Sequence, residues 1–332
     1  MNDCWGRTID YLRISVTDRC NLRCVYCMPE NGVVSLAHKD ILTYEEIMRI
    51  VKVCAGLGIK KVKLTGGEPL VRKDLARLVS WLKAQEGIES VTLTTNGILL
   101  KNQLKELVSA GLDGVNISLD TLDPNAYKRI TRQGDLETAL AGLNAALSYA
   151  ESLTVKVNCV PLNNDPGNLS AMAGLAKSLP VHVRFIEMMP MGLGQNFAFT
   201  GEDEILEILE KAYGKAIAFN EPLGNGPCHY YSFPGFCGKV GFISAMSHKF
   251  CSRCNRVRLS ADGFLKTCLQ YDSGCDLKAL IRSGCDDPDL ARAIIQAIDH
   301  KPKDHHFGQA PSDMKPAKAD KDETLSMFQI GG

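Results

Sequence analysis

Between residues 11 and 186, short apolar runs alternate six times with segments of helical period. This alternation restricts the fold more than any other feature of the chain. Leu12, Ile14 and Val16 open it with strand spacing, and further strands are predicted at 61–64, 90–95, 115–119, 155–160 and 181–186. Helices are expected between them. The first runs to about Gly56 and starts from a Thr43/Glu46 capping box, in which each side chain satisfies the other's orphan N–H. Others are expected at 75–82, at 104–110 before Gly111, at 136–150, and at 169–178 before Pro180. Repeated strand–helix–strand units build a parallel sheet with right-handed crossovers, so the class is α/β. The pattern leaves open whether the sheet stays flat or curls into a partial barrel. Either way, working groups are expected at the C-terminal ends of the strands.

After about residue 190 the pattern breaks into Gly- and Pro-bearing loops, a helix at 203–213, short strands at 240–244, 256–259 and 264–267, and helices at 276–282 and 289–299. Two units follow, 1–190 and a C-terminal extension over 191–332. The tail from Pro302, rich in Lys, Asp and Pro, reads as mobile, and His305 and His306 within it as surface residues.

Lys plus Arg equals Asp plus Glu, 38 of each, so no global field draws the chain to nucleic acid or membrane, and any anionic ligand needs a local basic pocket. No apolar stretch approaches the ~20 residues of a membrane span, and residues 1–10 lack a signal-peptide core. A cytoplasmic protein is expected, in which thirteen cysteines are reduced thiols and clustered ones are metal ligands. Cys54 and Cys159 fall in helix and strand patterns and read as core thiols.

Cys20, Cys24 and Cys27 form a C-x3-C-x2-C group just after the first strand. Three thiolates on a short loop suit three corners of a cubane cluster, leaving one iron open, whereas structural zinc wants a fourth ligand. Gly66-Gly67-Glu68-Pro69 follows the second strand, where glycines let backbone approach a ligand. Cys251, Cys254 and Cys268 form a second group. Here both an open cluster and a zinc site completed by Cys275, Cys237 or His248 remain possible on spacing. Arg256 and Arg258 share one face of the intervening strand and aim two guanidiniums at one anion.

The first group, with Tyr26 before its last cysteine, resembles the radical S-adenosylmethionine superfamily. Over essentially the whole chain the motifs LRISVTDRC from Leu12, LTGGEP from Leu64, TTNG from Thr94, NISLD from Asn116, KVN from Lys156, RFIE from Arg184 and CSRCNRVR from Cys251 resemble the GTP 3′,8-cyclase family within it. The resemblance implies a partial (β/α)6 barrel of TIM type with a C-terminal α+β extension. It implies two [4Fe–4S] clusters, on Cys20, Cys24 and Cys27 and on Cys251, Cys254 and Cys268. It also implies an S-adenosylmethionine site at Tyr26, Gly67, Ser118 and Met189, and a GTP site at Arg13, Lys63, Thr94, Lys156, Arg256, Val257 and Arg258, which Arg184 joins.

The implied reaction is that of a lyase: reductive cleavage of S-adenosylmethionine, then radical cyclisation of GTP to 3′,8-cyclo-7,8-dihydro-GTP, the first step of molybdenum cofactor biosynthesis. The implied partners are GTP, an electron donor and a cyclic pyranopterin monophosphate synthase, with no nucleic acid or membrane, and a monomer or homodimer is expected. Lys63 stands where the family commonly has Arg, which keeps the charge and loses the bidentate fork. Gly331 and Gly332 are expected to reach back into the site, docked by the apolar residues of 325–330. The rival readings are a radical maturase acting on a peptide, or a non-catalytic iron–sulfur or zinc protein.

Overall fold

The computed structural model describes residues 1–307, Glu323 and residues 327–331. In chain order the first part comprises β1 (Tyr11–Ser15), α1 (Tyr44–Gly56), β2 (Lys61–Thr65), α2 (Leu75–Ala84), β3 (Ser90–Thr95), α3 (Leu100–Ser109), β4 (Gly114–Ser118), α4 (Pro124–Thr131), α5 (Leu136–Leu147), β5 (Thr154–Cys159), α6 (Pro166–Ser178) and β6 (His182–Ile186). Then follow α7 (Glu202–Tyr213), β7 (Ile217–Phe219), β8 (His229–Ser232), β9 (Val240–Ile243), β10 (Arg256–Leu259), β11 (Phe264–Lys266), β12 (Gly274–Asp276), α8 (Leu277–Arg282) and α9 (Asp287–Asp299). The six predicted strands are present, and Thr43 and Glu46 form the expected capping box on α1. Helix α4 lies in a stretch without a predicted element; Asp123 caps it and Pro124 opens it. Strands β7, β8 and β12 are likewise additions.

Strands β1 to β6 pair in sequence order, all parallel. Among the described residues the later chain adds to this sheet and builds no second one. β10 pairs parallel with the free edge of β1, and β9 parallel with β6. Beyond them β11 and β12 on one side, and β8 and β7 on the other, continue antiparallel. One sheet of order β12-β11-β10-β1-β2-β3-β4-β5-β6-β9-β8-β7 results. The extension thus covers both open edges of the six-stranded sheet, edges that would otherwise present unpaired backbone groups.

Side-chain alternation shows that the sheet is curled. Leu12, Ile14, Val62, Leu64, Val91, Leu93, Val115, Ile117, Val155, Val157, Val183 and Phe185 point outward into the apolar layer beneath the helices. The residues between them, Arg13, Lys63, Thr92, Thr94, Asn116, Lys156 and Arg184, all face one common cavity. A flat sheet cannot direct polar residues of six strands at one space; a partial barrel does so with period two.

A candidate active site between two cysteine groups

The cavity inside the barrel has a volume of about 660 Å³ and is lined by all six cysteines of the two groups. Strand direction places them at opposite mouths. Cys20 follows β1 and so lies at the C-terminal ends of the parallel strands. Cys254 precedes β10, which runs parallel to β1 with Arg256 level with Tyr11, and Cys268 follows antiparallel β11. The second group therefore sits at the N-terminal ends. The expectation that all working groups gather at the C-terminal ends holds for the first group only.

The loop of the first group is held from two sides. The N–H groups of Gly67 and Glu68 donate to the carbonyls of Thr17 and Arg19, both at 2.8 Å. A Cβ on Gly66 would meet the Thr17 carbonyl at 2.6 Å, and one on Gly67 the Arg19 carbonyl at 2.5 Å. These glycines thus let two loops of the protein approach each other, a more specific need than room for a ligand. Buried Glu68 accepts from Thr95 Oγ1 and the Asn96 N–H, both at 2.7 Å, and from the Leu70 N–H at 3.0 Å, tying the loop to the end of β3. On the other side the Arg23 and Val25 N–H groups donate to the last carbonyls of α4, and Arg132 Nη1 donates to the carbonyls of Arg23 and Met28. The Tyr26 hydroxyl donates to Asp120 Oδ2 at 2.8 Å. Burial pushes the Cys20 thiol up to about 11, Cys27 up to about 12 and Cys24 well above its ordinary range. Their thiolates thus need a compensating cation, which an iron–sulfur cluster supplies.

The second group has a different electrostatic setting. Burial opposes ionisation of Cys254, but Lys301 and Arg256 outweigh it and bring the thiol down to about 6. Lys301 is buried and donates to the carbonyls of Arg256, at 2.9 Å, and Thr267. The segment carrying it is clamped by the N-terminus. Arg7, ion-paired with Asp3, donates to the carbonyls of Cys251 at 3.0 Å, Pro302 at 2.7 Å and Lys303 at 2.8 Å, and Trp5 Nε1 donates to the Lys301 carbonyl at 2.9 Å. The mobile tail expected from Pro302 is therefore corrected over 302–307: these residues pack against the second group, and His305 is buried rather than a surface residue. Composition carries no signal for this, since the clamp comes from residues almost 300 positions earlier.

Among the described residues no three His, Cys, Asp or Glu side chains converge as a single ion requires. A cubane spreads its thiolates over separate irons, and the two three-thiol sets fit that group. Cys4, Cys237, Cys275 and His248 do not line the cavity.

Between the two groups lies a cluster of cations. Arg13, Lys63, Lys156, Arg184, Arg256 and Arg258 all line the cavity, and Lys63, Lys156, Arg184, Arg256 and Arg258 form no ion pair among the described residues. Burial, reinforced by neighbouring cations, pulls Lys63 and Arg258 well below their ordinary ranges, Lys156 to about 7 and Arg13 to about 10. Arg184 is fixed by Asn158 Oδ1 at 2.9 Å, and Lys156 by the Leu223 carbonyl. Thr94 lines the same wall and accepts from Asn116 Nδ2 at 3.3 Å. The Val257 side chain instead packs in the core, and Val257 does not line the cavity. Tyr26, Gly67, Ser118 and Met189 all line the cavity.

The chain end returns here. Phe328 and Ile330 are buried, Met327 and Phe328 line the cavity, and the Gly331 carbonyl accepts from Arg258 Nη1 at 2.7 Å. Gly331 has φ +76°, and a Cβ there would meet Thr65 Oγ1 at 2.7 Å, so a side chain at this position would be both strained and obstructed. Gly332 and Leu325 lie outside the described residues.

Residues 14–166 match the Radical SAM superfamily, and residues 181–307 match Molybdenum Cofactor Synthesis C. With the curled sheet and the first cysteine group, this defines a radical S-adenosylmethionine enzyme, a class that carries a [4Fe–4S] cluster and S-adenosylmethionine. A GTP 3′,8-cyclase of Pelotomaculum thermopropionicum is 45% identical over 336 residues, covering the whole of both chains. One of Moorella thermoacetica is 46% identical over 313 residues, 92% of this chain and 95% of its own. The chain belongs to the GTP 3′,8-cyclase family. Among solved structures, Streptococcus suis SuiB bound to S-adenosylmethionine superposes with a TM-score of 0.60 at 14% identity, over 88% of this chain and 68% of its own; at that identity the likeness concerns the fold. Among the described residues no helix is long and apolar enough to cross a membrane.

Proposed function

We propose that the protein converts GTP to (8S)-3′,8-cyclo-7,8-dihydroguanosine 5′-triphosphate, the first step of molybdenum cofactor biosynthesis. In this reading Cys20, Cys24 and Cys27 hold one [4Fe–4S] cluster and Cys251, Cys254 and Cys268 a second. The observation that carries it is the set of cations lining the cavity between the two cysteine groups, of which Lys63, Lys156 and Arg258 are buried and form no ion pair among the described residues. Buried charges without acidic partners are costly, and a triphosphate supplies the missing negative charge.

Lys63 on β2, Lys156 on β5 and Arg184 on β6 hold the triphosphate, with Arg13, Arg256 and Arg258 on the adjoining strands completing the anion pocket. Thr94 offers a hydroxyl to the same ligand, and the Val257 side chain takes no part. Tyr26, Gly67, Ser118 and Met189 shape the S-adenosylmethionine site beside the first group. Held by Cys20, Cys24 and Cys27 and by these residues, the cluster and S-adenosylmethionine would supply the radical chemistry for hydrogen abstraction from the ribose. The residues' own contribution is position: with the triphosphate fixed, the ribose is directed to the first group and the guanine to the second, so that C3′ and C8 are held for ring closure. The barrel wall and the returning chain end exclude water. The partners this reading requires are a one-electron donor and a cyclic pyranopterin monophosphate synthase to take the product, in the cytoplasm, with the enzyme a monomer or homodimer.

The test is the double variant Arg256→Ala/Arg258→Ala, reconstituted anaerobically. It is expected to lose GTP binding while uncoupled formation of 5′-deoxyadenosine from S-adenosylmethionine persists. Full GTP affinity in this variant overturns the anion pocket.

A further inference from the structure

His305 is 7% exposed and lines the cavity beside Cys251, Cys254 and Cys268. Its main chain is fixed: its N–H bonds the Cys251 thiol, and its carbonyl accepts from Lys249 Nζ at 3.3 Å. Just before it, Arg7 holds the carbonyls of Pro302 and Lys303. Yet both ring nitrogens are buried with no well-formed hydrogen bond among the described residues, although the Ala245 backbone lies close to the ring. Buried polar atoms of native proteins are nearly always satisfied, and each one left unpaired is a substantial penalty. A side chain anchored on both sides but unsatisfied at its tip is built to receive a partner from the cavity.

The surroundings describe that partner. The Phe307 ring lies 4.9 Å from the imidazole, centroid to centroid, and Phe250 stands nearby with the Arg256 guanidinium over its face at 5.1 Å. Phe250, Leu269 and Phe307 line the cavity here. Flat apolar walls with one polar tip suit a planar heterocycle bearing hydrogen-bonding edge atoms. A phosphate group is suited instead to the cations deeper in the barrel. An imidazole carries at its two ring nitrogens an N–H donor and, when neutral, a lone pair. Guanine presents acceptors at O6 and N7.

We propose that His305 is a specificity-determining contact to the guanine edge of GTP, holding the base beside the second cysteine group. This rests on the GTP reading above and adds a residue to it. Binding strength then divides between two places: the cations hold the triphosphate and His305 the base.

The experiment compares His305→Phe and His305→Gln with the parent protein, all anaerobically reconstituted, by equilibrium binding of GTP and of inorganic tripolyphosphate. For His305→Phe, GTP affinity is expected to fall about tenfold or more, the scale of one hydrogen bond lost with its partner left buried, while tripolyphosphate affinity is unchanged. His305→Gln, which keeps an N–H donor, restores much of the loss. Equal changes for both ligands, or no change for either, overturn the proposal. So does a changed electron paramagnetic resonance spectrum of the second cluster without GTP, because the ring would then serve the cluster. If the parent protein binds tripolyphosphate and gains nothing from the nucleoside, the GTP reading itself fails, and this proposal with it.

Discussion

The depressed lysines in the barrel make GTP binding a proton-linked event, and Lys156 allows its size to be worked out. Its ammonium is brought down to about 7, by burial first and by Arg184 second. A triphosphate against it favours the charged form and returns it toward the ordinary lysine value of ~10.4. Between those two values binding takes up a proton, so affinity is full below pH 7 and is lost as pH rises. From pH 7 to pH 9 the free lysine goes from half to about one-hundredth protonated while the bound one stays charged. Affinity is then expected to fall roughly fifty-fold, about 2.3 kcal/mol, from this residue alone. A terminal phosphate with pKa ~6 is already ionised over this range and adds little slope. The perturbation is Lys156→Gln, whose amide keeps a donor for the Leu223 carbonyl. Isothermal titration of GTP into the anaerobic protein, in buffers of differing ionisation enthalpy, reads the protons directly. The variant is expected to bind more weakly at pH 7 and to take up about one proton fewer at pH 8.5. Lys63, likewise depressed, keeps a remaining slope. If Lys156→Gln loses affinity per pH unit as steeply as the parent, the lysine is not what couples protons to binding and the reasoning is refuted.

Two other perturbations separate the cysteine groups. In Gly67→Ala the new Cβ falls 2.5 Å from the Arg19 carbonyl, so the loop before Cys20 must move. Iron after reconstitution is expected to fall by about half, with S-adenosylmethionine binding lost and the second group loaded, and a full iron count with normal cofactor binding would count against the steric argument. In Arg7→Met the carbonyls of Cys251, Pro302 and Lys303 lose their shared donor, and Asp3 is left as a buried unpaired carboxylate. That is expected to cost about 3–5 kcal/mol and to empty the second group first; thermal unfolding and iron content at the two groups measure both effects, and an unchanged Tm speaks against the clamp.

Much of the site was legible because its residues sit in local patterns. Cys20, Cys24 and Cys27 lie within one loop, Gly66 and Gly67 directly follow a strand, and Arg256 and Arg258 are spaced to share a face, so neighbouring positions determine where these side chains go. The six strands were legible for the same reason, each being an apolar run bounded by turn residues. Legibility failed where the partner is remote in sequence. His305 stands in a polar stretch that reads as mobile and solvent-exposed, and the clamp from Arg7 and Trp5 holds that stretch against the second group. Helix α4 starts at a proline and presents few apolar residues, so its period is weak, although its last carbonyls support the first cysteine loop.

By itself the sequence determined the parallel α/β core, two sets of three thiols and a supply of strand-borne cations, because periodicity and short spacings act over a few residues. Only the tertiary structure decided that the sheet curls, that β9 and β10 join its two edges, and that the cysteine groups face each other from opposite mouths of one cavity. Those facts depend on which strand pairs with which and in what direction. Strand order is settled by long-range packing, and only once β10 lies parallel to β1 do Arg13 and Arg258 come side by side and place buried charge between the two groups.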